Sequence, residues 1–314
     1  MVAVVVAYNR TALLEECLRA ILAQTVAPDA IVVVDNASTD DSAATARSIV
    51  PGVHVLSLPR NTGGAGGFAV GIAEAVENHD ADYVWVMDDD TVPTSTALQE
   101  LVRVVEVSPH NTNLVGSRVE WIDGRPHPMN TPRVRPFASR RSVARAAKYQ
   151  CYPVRSASFV SLLIKGSAVR SLGLPIVDYF LWNDDFEYSA RLLRYGRGYL
   201  ACRSVVVHKT RQFGSTDADP GARFLFEVRN KIWMLAHSRS LSVGEKAIYL
   251  VSTLLRWLRT FVRSHDRAVL RRGLVDGLRQ GIKTRPAPNS VALDAYGVRA
   301  DAVERLESRA KSAL

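Results

Sequence analysis

Asp88, Asp89 and Asp90 stand in a row directly after the apolar Trp85-Val86-Met87. Neighbouring carboxylates repel one another unless a cation neutralises them. For oxygen ligands the natural counter-charge is a hard divalent ion, Mg²⁺ or Mn²⁺. Asp88 and Asp90, alternate residues at the end of a strand, can share one ion that also holds a diphosphate. The plain alternative is a solvated acidic turn; a second strand ending in Asp35 upstream favours the metal. His208 closes a later apolar run and is placed to offer a neutral imidazole, although most isolated histidines are structural. Asp35, in Val32-Val33-Val34-Asp35-Asn36, can accept hydrogen bonds from a nucleobase N–H or ribose hydroxyls, or close a turn. Asp40 and Ser42 read as caps for the next helix.

Asp184, Asp185 and Glu187 mark the start of another helix. A capping box with Asp184 at the N-cap and Glu187 three residues on would explain two of them. It leaves Asp185 unexplained, together with its aromatic approach, Tyr179-Phe180-Leu181-Trp182. A carboxylate against an apolar wall has a reason for a raised pKa, which suits a general base. Residues 61–68, Asn-Thr-Gly-Gly-Ala-Gly-Gly-Phe, read as a glycine-rich loop that opens a helix and lets main-chain N–H groups approach an anion. It lacks the Gly-Lys-Ser/Thr of a P-loop and is not a GxGxxG after the first strand.

These groups need a scaffold. Val2–Ala7 is a continuous apolar run of the kind that forms a strand buried on both faces. Helical spacing over 13–25, a strand at 31–34, a helix over 42–50, a strand at 53–58, a helix over 68–78 and a strand at 83–87 follow. Such alternation implies a mostly parallel sheet with helices on both faces, and ligands at the carboxyl ends of its strands. Tyr8-Asn9-Arg10, Asp35-Asn36 and the three aspartates fall there. Residues 124–148 hold seven basic residues, no acidic one, and Pro126, Pro128, Pro132 and Pro136. They read as a mobile loop or hairpin, either plain solvated surface or an electropositive lip for a phosphorylated substrate. Strands are expected within 154–164, a turn at 172–178, a helix from 182 to about Tyr195 with Gly196 as its C-cap, a strand at 199–207 and a helix over 223–237. From Val243 the chain reads as basic helices, and its last stretch as a polar, Ala-rich tail helix.

The 314 residues suffice for one large domain or two ordinary ones, and 47% hydrophobic with 23% charged residues excludes wholesale disorder. No internal repeat points to a solenoid. Cys17, Cys151 and Cys202 are isolated, which suits a reducing compartment rather than a disulfide framework or zinc knuckle. Met1 runs straight into Val2–Ala7 without a basic segment or cleavage site, so no signal peptide is expected. No apolar stretch of about 18–20 residues suggests a membrane span. A net charge of +9 calls for a polyanionic partner. Nucleic acid would need a recognition motif, and none accompanies the charge.

Taken in order and spacing, 4–10, 32–40, 61–68, 85–90, 182–187 and His208 resemble an inverting glycosyltransferase of family 2 with the GT-A fold, over roughly residues 1–237. The resemblance implies an α/β, Rossmann-like sheet with a nucleotide-sugar half of about 1–120 and an acceptor half of about 121–237. It implies that Asp35 meets the uracil side of a UDP-sugar and that Tyr8, Arg10, Asn61, Gly64, Asp88 and Asp89 surround the donor. Asp88, Asp90 and His208 would hold Mn²⁺ or Mg²⁺, Asp185 would be the general base, and Trp182, Asp184 and Arg229 would meet the acceptor. One displacement with one base inverts the anomeric centre. The metal would neutralise charge on the departing UDP.

Within the family the motifs are most similar to actinobacterial cell-wall galactan galactofuranosyltransferases. The length is nearer the initiating type, which uses a polyprenyl-diphosphate-linked acceptor. Trp182-Asn183-Asp184-Asp185-Phe186-Glu187 is nearer the polymerising type, and rhamnosyltransferases are the alternative. A pseudo-enzyme that only holds a nucleotide sugar or lipid would not need the complete set of acids. A sugar nucleotidyltransferase would want a glycine-, arginine- and lysine-bearing signature that Tyr8-Asn9-Arg10 does not supply.

Residues 238–314 form the second region. Lys246 to Arg285 span ten basic and two acidic residues. Val251, Leu254, Leu255, Leu258 and Val262 make an apolar stripe flanked by Arg256, Arg259, Arg263 and Arg267. Two placements follow: a helix in an anionic bilayer interface, or one packed on the catalytic domain with its stripe in the core. The first matches a peripheral protein at the cytoplasmic face of the cell membrane.

Overall fold

The computed structural model describes residues 1–135, 138–211, 213 and 219–310; Pro136 lies outside them. The first half alternates as its apolar periodicity requires: β1 (Val2–Ala7), α1 (Thr11–Leu22), β2 (Ala30–Asp35), α2 (Ser42–Ile49), β3 (His54–Ser57), α3 (Gly63–Glu77) and β4 (Tyr83–Asp88). The second half runs β5 (Thr91–Pro93), α4 (Ala97–Val107), β6 (Thr112–Glu120), β7 (Arg133–Val134), α5 (Arg140–Lys148), β8 (Cys151–Ser156), β9 (Leu162–Lys165), α6 (Gly166–Leu172), α7 (Asp184–Tyr195) and β10 (Arg197–His208). Five helices follow: α8 (Phe224–Ala236), α9 (Val243–Arg263), α10 (Arg267–Lys283), α11 (Asn289–Ala295) and α12 (Asp301–Arg309).

One sheet has the order β3-β2-β1-β4-β9-β6-β10-β8-β7, with β5 paired to β10. The run β3-β2-β1-β4 is parallel, as is β6–β10; β9, β8, β7 and β5 pair antiparallel. Alternate side chains sort into two cores. Val2, Val4, Val6, Val84 and Val86 face α3, α6, α7, α11 and α12. Ala3, Val5, Ala7, Trp85 and Met87 face α1, α2 and α4.

Three expectations need correction. The glycines of 63–67 are the first turns of α3 and not a loop before it. A Cβ at Gly67 would come 2.6 Å from Val6 Cγ1, and one at Gly71 would run into Val4 and come 2.9 Å from Val34. These two glycines let helix and sheet approach closely; they present no main-chain N–H to a ligand. Residues 124–148 contain a short strand and α5, capped by the Ser139 hydroxyl, where a loop or hairpin was expected. Of the two placements open to the α9 stripe, packing in the core is the one that fails: Leu254, Leu258 and Val262 are 52%, 63% and 65% exposed. Arg256, expected beside that stripe, turns inward to Glu227.

The C-terminal helices differ among themselves. Leu293, Val303 and Leu306 are fully buried in the core that holds Val2 and Val4. Among the described residues α8, α9 and α10 stand apart from it, α10 joined to α8 through Phe224, Val228 and Leu270. No helix of the described residues is long and apolar enough to cross a membrane.

Candidate active site

The parallel register sets Val6 beside Asp88 and Ala7 beside Asp35, so three strands deliver their ends to one place. β10 runs antiparallel to β5 with His208 opposite Thr91, which brings the imidazole over the acid cluster. His208 Nε2 lies 2.9 Å from Asp90 Oδ1, and Nδ1 lies 3.0 Å from Asn130 Oδ1. Arg10 donates to Asp89 at 3.2 Å and also to Asp90. Asp89 accepts a hydrogen bond from the Tyr8 main chain at 2.9 Å. Asp89 therefore ties the β1 and β4 ends together.

The electrostatics follow. Burial, and then Asp90, push Asp88 up to about 7. Burial pushes Asp89 up to about 6, against the Tyr8 bond and Arg10. Burial would raise Asp90 too, but bonded His208 and nearby Arg10 outweigh it and hold Asp90 below the usual range. Burial would lower His208, and Asp90 outweighs it and raises the imidazole. Asp88 has no hydrogen-bond donor among the described residues. The ligand atoms of Asp88, Asp90 and His208 lie within 4.8 Å of one another. Two carboxylates and an imidazole so spaced, one carboxylate without a donor, fit a hard divalent cation.

The other donor candidates are placed as follows. Asp35 is buried, with one oxygen accepting from the Ser38 N–H at 3.0 Å. Asp40 accepts from the N–H groups of Thr11 and Ser42 at 3.1 Å each, a clamp between two helix starts. Asn61 Oδ1 accepts from Gly63 N–H at 2.7 Å and so shapes its own turn. Asn36, which the sequence places at the end of β2 without a role, bonds Thr62 and Gly63. Gly64 faces the cavity, 3.9 Å from Asp184 Oδ2 measured at an added Cβ.

A cavity of about 570 Å³ opens from these strand ends. Asp88 and Gly64 line one side; Trp182, Asp184, Asp185 and Phe186 line another; Arg133, Lys231, Arg256 and Trp257 complete it. The capping box is absent. Asn183, in left-handed conformation at φ 65°, is the N-cap, and Asp184 is the first helical residue. Glu187 instead pairs with Arg191 at 3.0 Å and accepts from Ser238. Both aspartates are thus released to the cavity. Burial, then Asp185, push Asp184 well above the carboxylate range. Burial also raises Asp185, opposed by its bond from the Phe186 N–H, 2.6 Å away, and by Arg133 and Lys231. Asp184 is thus raised further than Asp185, which has two cations nearby to favour its charged form.

The approach to these acids is held in an unusual backbone. Phe180, Trp182 and Asn183 have φ of 59°, 65° and 65°. Asn230 Nδ2 lies 2.9 Å from the carbonyls of Tyr179, Leu181 and Trp182, which holds the turn against its strain. Arg229, expected at the acceptor, donates to the carbonyls of Asp178 and Tyr179 and packs on Trp233, away from the cavity. Its position on α8 points it under the turn. Lys231, two residues on, reaches the cavity instead. Asn130, Arg133 and Lys231 were not singled out by sequence, and Arg256 was placed beside the α9 stripe; only the basic character of 124–148 pointed towards Arg133.

Comparison with known proteins agrees with this geometry. Residues 2–166 match Glycosyl transferase family 2. Galactofuranosyltransferase GlfT1 of Mycobacterium tuberculosis is 30% identical over 260 residues, covering 74% of this chain and 81% of the relative. The GlfT1 of Mycolicibacterium smegmatis is 30% identical over 217 residues, covering 64% and 67%. In fold, S. aureus TarS 1-349 in complex with UDP-GlcNAc matches 98% of this chain and 90% of its own at a TM-score of 0.61 and 14% identity. GalNAc-T7 with UDP, GalNAc and Mn²⁺ matches 90% of this chain and 55% of its own at 0.61 and 16% identity. The two-sided α/β sheet, the acids at its strand ends and the family match over more than half the chain lead to one conclusion: this protein is a glycosyltransferase and belongs to glycosyl transferase family 2.

Proposed function

We propose that the protein transfers galactofuranose from UDP-galactofuranose, with inversion, to a polyprenyl-diphosphate-linked glycan in cell-wall galactan assembly. The observation that carries transfer is the single cavity with Asp88 on one wall and Asp185 on the facing one. The donor sugar rests on the likeness to the GlfT1 enzymes.

In this reading Asp35 takes the uridine, and Arg10 and the strand ends hold the diphosphate end of the donor. Asp88, Asp90 and His208 hold Mn²⁺ or Mg²⁺, which when bound offsets charge on the leaving diphosphate. Asp185, its charged form favoured by Arg133 and Lys231, takes the proton from the acceptor hydroxyl as that oxygen attacks the anomeric carbon. Trp182 and Phe186 exclude water from the attacking side. The outward apolar face of α9, with Arg259 and Arg263 beside it, rests on an anionic membrane at the cytoplasmic face. This placement suits an acceptor carried on a lipid.

The test is a panel of UDP- and dTDP-sugars offered with synthetic lipid acceptors. UDP-galactofuranose should be turned over fastest, with inversion seen by NMR of the product. Preference for a dTDP-sugar would replace the donor assignment with rhamnosyl transfer.

A further inference from the structure

Two cations of the cavity form no ion pair among the described residues, although Asp185 and Glu227 stand near them. Lys231 is 5% exposed, yet it has no hydrogen bond or ion pair among the described residues. Its ordinary partner one helical turn earlier, Glu227, is committed elsewhere. Glu227 accepts from Asn183 at 2.8 Å, from Trp257 Nε1 at 3.2 Å, and from Arg256. The Lys231 ammonium sits 4.8 Å from the centre of the Phe186 ring. The Arg133 guanidinium sits 5.3 Å from the same ring, also without an acidic partner among the described residues. Burial lowers Lys231 to about 8, opposed by Glu227 and Asp185 and helped by Arg256 and Arg133. An ammonium and a guanidinium on one ring, neither hydrogen-bonded nor ion-paired among the described residues, leave donors for an added anion.

The position separates this pair from the donor's cations. Arg10 and His208 act on Asp88, Asp89 and Asp90. Arg133 and Lys231 act on Asp185. We infer that Lys231 and Arg133, carried over the ring of Phe186, form an anion subsite on the acceptor side that takes a diphosphate group. An arginine fork and a point-charged ammonium together match its two phosphoryl groups. This deepens the transferase reading and rests on it for the word acceptor. The α9 helix supports the assignment, because its Arg256, Trp257 and Thr260 line the cavity while Leu254 and Leu258 face outward. A diphosphate at Lys231 therefore lies beside the helix that a lipid chain would follow.

The experiment is titration calorimetry on the full chain with UDP and Mn²⁺ at saturation, so that the donor side is filled. The probes are inorganic pyrophosphate and dodecyl diphosphate. Both should bind, the alkyl form more tightly. Lys231→Met should weaken both by about 10- to 100-fold, as expected for losing a charge-assisted contact, while Lys231→Arg restores binding. Arg133→Gln, at an exposed position, gives the same test free of any folding defect in the core. No binding by the wild type, or equal binding by Lys231→Met and Arg133→Gln, overturns the subsite. Equal affinity for the two probes overturns its assignment to a lipid-borne acceptor. No donor sugar enters the measurement, so a failure of galactofuranose transfer would not be mistaken for failure of this site.

Discussion

His208 Nε2 faces Asp90 Oδ1 across 2.9 Å, from a strand that enters 118 residues later in the chain. The contact joins β10 to the β4 end, and Arg10 closes the same carboxylate from the other side. Asp89 and Asp90 are thereby bonded to an imidazole and a guanidinium, leaving Asp88 without a donor among the described residues.

Metal removal is the first expectation. EDTA should abolish transfer, and Mn²⁺ or Mg²⁺ should restore it. Asp90→Ala should remove metal-dependent UDP binding measured by calorimetry. Full turnover in EDTA would end the metal assignment of Asp88, Asp90 and His208.

The adjacent aspartates should separate in kinetics. Asp185→Asn keeps the shape and removes the base, so kcat should fall by about 10²–10⁴-fold with UDP binding little changed. Asp184→Asn leaves the Asp185 carboxylate in place, so its loss should be much smaller. If Asp184→Asn is the more damaging change, the base is Asp184.

A pH profile tests the surroundings of that base. Arg133 holds the raised Asp185 down. A base works above its pKa, so Arg133→Gln should move the acid limb of kcat against pH upward. An unmoved limb would show that Asp185 does not control it.

Glu245 anchors the start of α9 through Arg155, 2.6 Å away. The bond from Arg155, more than burial opposes it, holds the Glu245 carboxyl down to about 2. A depressed carboxylate contributes its stability above the unfolded-state value of about 4.3 and loses it as pH falls towards 2. Thermal melts should therefore show less acid destabilisation between about pH 5 and 3 in Glu245→Gln than in wild type. Equal slopes would remove this pair from the acid response.

Membrane contact is separable from chemistry. Replacing Leu254, Leu258, Arg259 and Arg263 by Ser should abolish flotation with anionic vesicles, and wild-type binding should weaken as salt rises. Turnover of a soluble acceptor should persist in that variant. Equal binding of wild type to neutral and anionic vesicles would reject the electrostatic part.

The strands and the acids at their ends were legible because a buried parallel strand and its polar terminus are local signals. The glycines were not. Gly67 read as part of a loop facing a ligand, while the neighbour that requires it, Val6, lies far off in sequence. Asp184 read as a cap because its spacing to Glu187 fits one; Ser238 and Arg191 claim Glu187 instead. Arg229 and Lys231 look alike in sequence, and only the phase of α8 sends one under the turn and the other into the cavity. On α9 the stripe was visible but its outward direction was not, because that depends on what Trp257 and Arg256 meet on α8.

Val303 and Leu306 complete the same core as Val2 and Val4. During synthesis the first strands emerge long before α12 does, roughly ten to forty seconds earlier at about 5–20 residues per second. Through that interval the face of α3 that α12 will cover is open to other apolar surfaces. A variant truncated before Asp301 should therefore leave that face of α3 bare and yield aggregate rather than a weakened catalyst.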